Sequence, residues 1–344
     1  MRYSQVCLHN FGYALPPREI TSTAIEEQLE SLYDRLNLPA GRLELMSGIT
    51  SRRLWHPGTR PSQGAILAGR HALEQAGIPP EDLGCLLFTS VCRDMMEPAT
   101  AAFVHRELGL PQTCQIFDIS NACLGFLNGV VVLANMLELG QVRSGLIVAG
   151  ETAENLVEST LTAMRTDTSL TRKSVKHLFA SLTIGSGAVA LIMTRKDVLD
   201  TGHYLLGGSC RTNTVCNNLC QGGQNSEQGT LMSTESEELL HQGVAVAHAC
   251  WQDFLSTMGW PAEKIDRFFC HQVGRAHARL LFEKLQLNPE KNFETLPFLG
   301  NVGSVSAPIT MALGVEQGGI RSGEYAALMG IGSGINAMIL ALQW

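Results

Sequence analysis

The sequence predicts a mixed α/β protein in which two halves repeat one plan and helices cover the sheets. Two internal echoes predict it. In the first, Ala76-Gly77-Ile78-Pro79-Pro80-Glu81-Asp82-Leu83 ends a helical stretch and leads into the apolar run Cys85-Leu86-Leu87-Phe88. Its counterpart, Met258-Gly259-Trp260-Pro261-Ala262-Glu263-Lys264-Ile265, leads into Arg267-Phe268-Phe269-Cys270. Both read as helix, glycine stop, proline–acidic turn and buried strand. In the second, Val142-Arg143-Ser144-Gly145 precedes Leu146-Ile147-Val148-Ala149-Gly150, and Ile320-Arg321-Ser322-Gly323 precedes Tyr325-Ala326-Ala327-Leu328-Met329-Gly330. The two echoes share an offset of about half the chain, which favours duplication over chance. The halves are divided as residues 1–200 and 201–344.

The remaining elements follow in order. Ser62 is placed to cap a helix carrying Ile66, Leu73 and Ala76. A second helix, from Cys123 to Leu139, is apolar nearly all round and belongs in the interior. Ser159 to Lys176 is polar and weakly patterned, as a surface excursion or a lid would be. His203 to Ser233, rich in Gly, Asn and Cys, reads as the crossing between halves. Glu235, Glu237 and Glu238 suit the first turn of a helix, where they complement its dipole. Tyr325 to Trp344 carries no charge, but Gly330, Gly332 and Gly334 alternate there, and Ser333, Asn336 and Gln343 interrupt it. Strand, turn and strand fit this better than a membrane span.

Composition narrows the function. With 344 residues, 45% of them hydrophobic, the chain can build a core without disulfides or a structural metal. A net charge of −7 and no dense Lys/Arg cluster exclude nucleic acid as the main partner. Ten cysteines spread from Cys7 to Cys270, mostly in apolar runs, favour a reducing cytoplasm. The start, Met1 to Val6, has no apolar signal core, which argues against secretion. Cys210, Cys216 and Cys220 near His203 lack a Cys-x-x-Cys knuckle, so no zinc site is expected.

Four stretches could carry chemistry. In Phe117-Asp118-Ile119-Ser120-Asn121-Ala122-Cys123-Leu124-Gly125, a short strand turns sharply into the buried helix and leaves Cys123 at the helix start. Unpaired N–H groups and the dipole there would stabilise a thiolate. An inert buried thiol is the other reading. His271, in Phe269-Cys270-His271-Gln272, follows a buried strand, and functional groups gather at strand carboxyl ends. In Gly300-Asn301-Val302-Gly303-Ser304, Asn301 falls where Asn121 and Cys123 fall in the first half. If the halves pack about a pseudo-twofold axis, Asn301 lies near Cys123; otherwise it is a turn residue. Gly330-Ile331-Gly332-Ser333-Gly334 has too little chain after it for a dinucleotide fold. Its better use is an oxyanion hole formed by backbone N–H groups, Gly332 and Cys123 being the donors.

Taken in order, Asn-Ala-Cys-Leu-Gly-Phe around Cys123, Cys-His-Gln around His271, Gly-Asn-Val-Gly-Ser around Asn301 and the terminal Gly-Ile-Gly-Ser-Gly resemble the ketoacyl synthase III branch of the thiolase superfamily. The resemblance spans essentially the whole chain. It implies a thiolase fold with a duplicated α/β/α/β/α core, a Cys123–His271–Asn301 triad and a homodimer. Thr89-Ser90-Val91-Cys92-Arg93-Asp94-Met95-Met96-Glu97-Pro98-Ala99-Thr100 and Gly48-Ile49-Thr50-Ser51-Arg52-Arg53-Leu54-Trp55 look like the OleA-type enzymes of olefin biosynthesis. That subfamily joins two fatty acyl-CoAs head to head without decarboxylation, and the resemblance implies that Glu97 reaches into the partner's site. A malonyl donor makes its carbanion by losing carbon dioxide, whereas a plain acyl-CoA needs a base at its α-carbon, a role Glu97 can fill. Glu97 as an ordinary surface carboxylate is the alternative. Arg52 and Arg53, with Trp55 beside them, are candidates for holding CoA through charge-assisted bonds to phosphate, or are solvated surface.

The leading expectation is therefore acyl-CoA:acyl-CoA condensation through an acyl-Cys123 intermediate. It needs no metal and no cofactor, and CoA enters only as part of the substrate. A decarboxylative synthase using malonyl-acyl carrier protein is the nearest rival. A non-catalytic scaffold subunit of the same fold is the rival from another class.

Overall fold

The computed structural model describes residues 1–225 and 229–344. Its main sheet is built from β1 (Val6–Ala14), β2 (Cys85–Phe88), β3 (Gln115–Asp118), β4 (Ser144–Glu151), β5 (Gly187–Arg195), β6 (Tyr204–Thr212), β7 (Arg267–Cys270), β8 (Tyr325–Gly332) and β9 (Asn336–Gln343). The strand order is β7-β8-β9-β6-β1-β5-β4-β2-β3.

The pairing repeats. In the first half β2 runs parallel to β4, β4 antiparallel to β5, and β5 antiparallel to β1. In the second, β7 runs parallel to β8, β8 antiparallel to β9, and β9 antiparallel to β6. The two sets meet where Cys7 pairs with Tyr204. The parallel partner that β3 gives β2 has a reduced counterpart, a single bridge from Phe268 to Asn292. At the first echo, both helices stop at a glycine in the left-handed region, Gly77 at φ 62° and Gly259 at φ 68°. A one-turn 3-10 helix follows each, Pro80–Asp82 and Ala262–Lys264, and then the buried strand.

Both faces of the sheet are covered, which explains the near-continuous apolar strands. On β4, Ile147 and Ala149 face a central core while Leu146 and Val148 face the other side. On β8, Ala326 and Leu328 face that same central core, and Ala327 and Met329 face away. The centre holds α3 (Gly125–Glu138) and α6 (Ser306–Glu316), whose Phe126, Val130, Ala307 and Ile309 pack in one cluster. Outside lie α1 (Pro61–Ala76) and α2 (Thr100–Leu108) on the first half. On the second half lie α4 (Ser236–Met258) and α5 (Arg275–Leu285). The layers run helix, sheet, helix, sheet, helix, the thiolase arrangement.

Three local expectations change. The helix expected to be capped by Ser62 starts two residues earlier, at Pro61 with Arg60 as its cap, and Ser62 instead bonds Asp94. The polar Ser159 to Lys176 stretch begins as the end of a helix, Glu154–Thr166, whose Val157, Leu161 and Met164 pack with Ile25, Leu29 and Leu32, and continues as turns to Val175. The His203 to Ser233 crossing contains β6 and an antiparallel pair, Cys220–Asn225 with Gly229–Thr234; its residues 226–228 lie outside the described residues. Glu237 and Glu238 do occupy the first turn of α4, and β8 and β9 form the expected strand pair. Among the described residues, no helix is long and apolar enough to cross a membrane.

Candidate active site

Cys123 sits on a tight elbow between β3 and α3. Ala122 just before it takes φ 46°, a left-handed conformation that a residue with a Cβ rarely adopts. The Leu124 and Gly125 amides close the turn onto Asn121 O at 2.9 Å and Ala122 O at 3.2 Å. The Asn121 side chain donates to Asn128 Oδ1 and accepts from Asn336 Nδ2, tying the elbow to α3 and to β9. Gly125 is forced by space: a Cβ there would lie 2.3 Å from the Thr89 carbonyl oxygen. A Cβ on Gly332 would lie 3.6 Å from Cys123 N, so the end of β8 runs alongside the Cys123 amide.

His271 directly follows β7, and its N–H continues the ladder to Met329 O at 2.7 Å. The neighbouring Gly330 packs on Leu124 of the elbow. Asn301 is buried, its backbone bonded to Thr183 O and Gly185 N. Its Oδ1 accepts the Gly303 N–H at 3.1 Å, which leaves the amide's Nδ2 as the group available to donate.

Two serines knit the three loops together. Ser304 donates its hydroxyl to Thr89 O and accepts the Phe126 N–H, joining the Asn301 loop to the first turn of α3. Ser306 accepts the Gln272 N–H at 3.1 Å, joining the start of α6 to the His271 loop. Gln272 in turn accepts the Thr295 and Leu296 amides and donates to Phe293 O. The loops of Cys123, His271 and Asn301 therefore converge where the two central helices begin.

Burial sets the charge state. It pushes the Cys123 thiol up to about 12, and the Glu151 carboxylate and Cys220 push the same way. It takes His271 down to about 3, with help from His277. The sequence points to a thiolate held by the helix dipole; α3 begins two residues later, at Gly125, and burial favours the neutral thiol. Both groups are thereby held in their neutral forms, a thiol at Cys123 and an imidazole at His271. His271 also borders a cavity of about 200 Å³ that Arg275, His277 and Glu294 help to line, and a smaller apolar one near Met329 and Ile339. Its Nδ1 is buried with no hydrogen-bond partner among the described residues.

Glu97 lies elsewhere, on the exposed tip of the loop between β2 and α2, beside Met96, which is 95% exposed. The CoA assignment of Arg52, Arg53 and Trp55 does not fit the structure. Arg52 is fully buried and donates to Ser22 Oγ. Arg53 is engaged by Pro16 O and Glu19. Trp55 is in the core with its indole N–H on Glu151 O. Arg52 and Trp55 are thus turned away from any surface phosphate, and only Arg53 keeps partial exposure. Among the described residues, no group of three or more His, Cys, Asp or Glu side chains is placed to hold a metal. Sequence reading missed Ser304, Ser306, Gln272 and Glu151. Glu151 alone carried a signal, a carboxylate closing the otherwise apolar run Leu146–Gly150.

A duplicated layered fold with a cysteine elbow, a histidine and an asparagine at its centre defines a thiolase-superfamily enzyme. The family models for 3-oxoacyl-[acyl-carrier-protein] synthase III match residues 117–213, and those for its C-terminal part residues 255–344. The chain is 39% identical to an acyl-CoA:acyl-CoA alkyltransferase of Shewanella oneidensis and 36% identical to one of Xanthomonas campestris, covering 100% of both chains in each case. A structure of Xanthomonas campestris OleA with bound lauric acid and lauroyl-CoA, 35% identical, matches with a TM-score of 0.94 over 99% of this chain and 100% of that one. Other structures of that enzyme carry substitutions at one cysteine, one glutamate and one histidine. The chain belongs to the acyl-CoA:acyl-CoA alkyltransferase family, in the ketoacyl synthase III branch of the thiolase superfamily.

Proposed function

We propose that this enzyme condenses two fatty acyl-CoAs without decarboxylation, giving a 2-alkyl-3-oxoacyl product through an acyl-Cys123 intermediate. The observation that carries the reading is the end-to-end similarity to acyl-CoA:acyl-CoA alkyltransferases. The synthase models leave residues 1–116, and so Glu97, outside their matches. In the OleA variants the substituted glutamate precedes the substituted cysteine by the same number of residues as Glu97 precedes Cys123.

In the first half-reaction the Cys123 sulfur attacks the thioester carbonyl while its proton passes to His271. The oxyanion is held by the Cys123 and Gly332 amides. CoA leaves as its thiol, taking the proton back from His271. In the second, Glu97 removes an α-proton from another acyl-CoA, and His271 and the Asn301 Nδ2 stabilise the enolate oxygen. The α-carbon attacks the acyl-Cys123 carbonyl; a carbon–carbon bond forms, the carbon–sulfur bond breaks, and the sulfur regains a proton. Proton transfers alone balance both steps, so the scheme calls on no metal and no cofactor beyond substrate CoA.

The exposed tip carrying Glu97 suits delivery into the partner's site of a homodimer rather than its own. The chain would work in the cytoplasm on acyl-CoA, with acyl carrier protein entering only under the decarboxylative alternative. The test is incubation of the pure protein with one long acyl-CoA and no malonyl donor. A condensed product is expected, and strict dependence on a malonyl donor would refute the reading.

A further inference from the structure

Glu151 ends β4 inside the protein at 4% exposure, and no Lys or Arg pairs with it among the described residues. A buried carboxylate needs compensation, and backbone amides supply it here. Oε1 accepts the Val91 N–H at 2.8 Å and the Ser304 N–H at 3.2 Å, and Oε2 accepts the Cys92 N–H at 3.1 Å. Val91 and Cys92 are the root of the 91–98 arm whose tip is Glu97. The rest of the root is fixed as well. Asp94 accepts from the Ser62 amide and hydroxyl, and its own amide bonds Thr100 Oγ1. Asp118, at the end of the strand that leads to the elbow, accepts the Thr100 and Ala101 amides. The arm is thus anchored at its base and exposed at its tip.

We propose that Glu151 is a positioning residue for carbon–carbon bond formation, its carboxylate locking the root of the 91–98 arm to the Asn301 loop so that Glu97 is presented at a fixed reach. The inference rests on the role given to Glu97 above. Acylation does not account for Glu151, because among the described residues its carboxyl hydrogen-bonds neither Cys123 nor His271. Its bonds go to the arm and to the loop that holds the enolate-binding asparagine. A carboxylate, which only accepts, matches three converging N–H donors. A glutamine in its place would turn an NH2 toward one of them and loosen the root.

The test compares wild type, Glu151→Gln and Glu151→Asp with a single long acyl-CoA. Two readouts are kept apart: acyl-Cys123 formation, by mass spectrometry and CoA release, and condensed product per acyl-enzyme. Misplacing a base by an ångström can cost on the order of 10²-fold. Glu151→Gln is expected to lower condensation by about that factor and acylation far less, with Glu151→Asp recovering part of the loss. A parallel fall in both steps, as general damage to the fold would give, overturns the proposal, and so does unchanged condensation. If Glu151→Gln does not fold, Glu151→Asp is read by the same ratio: a lowered ratio supports the proposal and a wild-type ratio overturns it. The wild-type arm separates the two readings. No product from acyl-CoA alone overturns the non-decarboxylative reaction and Glu151's role with it, whereas equal product from wild type and Glu151→Gln overturns Glu151's role alone.

Discussion

The Ser304 hydroxyl accepts the Phe126 N–H at 3.0 Å, so the loop carrying Asn301 holds the first turn of the helix that follows Cys123. The same hydroxyl donates to Thr89 O at 2.5 Å. Ser304→Ala strands a buried donor and a buried acceptor, each worth about 1–3 kcal/mol. Urea unfolding should show a loss of about 3 kcal/mol with an unchanged slope. Acylation of Cys123 should slow as well, since the elbow loses its tie to the opposite half. A variant as stable as wild type would mean that these bonds do not hold the site together.

Thr89 O also faces Gly125, where an added Cβ would come within 2.3 Å of it. The two nearest atoms are backbone of Thr89, which cannot swing aside as a side chain would. Gly125→Ala should therefore cost about 3 kcal/mol or more, or fail to give soluble protein, since overpacking is relieved only by backbone shifts. Normal stability and normal acylation in this variant would contradict the close packing of the elbow.

Stability against acid follows from two histidines. Burial lowers His271 to about 3 and His277 to about 4, against about 6.5 in an unfolded chain. Between those values the unfolded state binds more protons than the folded one, so stability rises with pH. Their contribution is complete above about 6.5 and drains away as pH falls toward the folded values. Melting temperatures measured from pH 7 down to pH 4 should fall, and His277→Asn should flatten that fall. An unchanged slope in the variant would show that His277 is accessible to protons in the folded protein.

Local pattern carried the architecture, because glycine stops, proline–acidic turns and apolar strand runs act over a few residues. The Gly77 and Gly259 stops and the strands after them could be read directly for that reason. The elbow was legible too, since a strand, a turn and an apolar helix around Cys123 are contiguous in the chain. Burial of neighbours is another matter. Arg52 and Arg53 look alike in sequence, but strand Ser51–Leu54 turns Arg52 fully inward and leaves Arg53 half-buried. Trp55 follows into the core against Gly64. The ties made by Ser304, Ser306 and Glu151 bridge segments far apart in the chain, and no periodicity encodes such a meeting.

The reactivity of Cys123 separates two ways of activating a thiol. A preformed thiolate–imidazolium pair would alkylate rapidly at neutral pH, with a rate that levels off in the acid range. Here burial pushes the thiol up to about 12, and the nearby Glu151 carboxylate pushes it the same way. The free enzyme should hold far less thiolate at Cys123 than an ordinary cysteine with a pKa of about 8.5 would. Iodoacetamide, followed by peptide mass spectrometry, should therefore label exposed Cys210 well before Cys123 at neutral pH. Labelling of Cys123 should keep accelerating beyond about pH 9 instead of levelling off. Attack on an acyl-CoA then requires His271 to take the proton as the carbon–sulfur bond forms, and His271→Ala should abolish acylation at neutral pH. A plateau in Cys123 labelling below pH 7 would instead establish a standing ion pair.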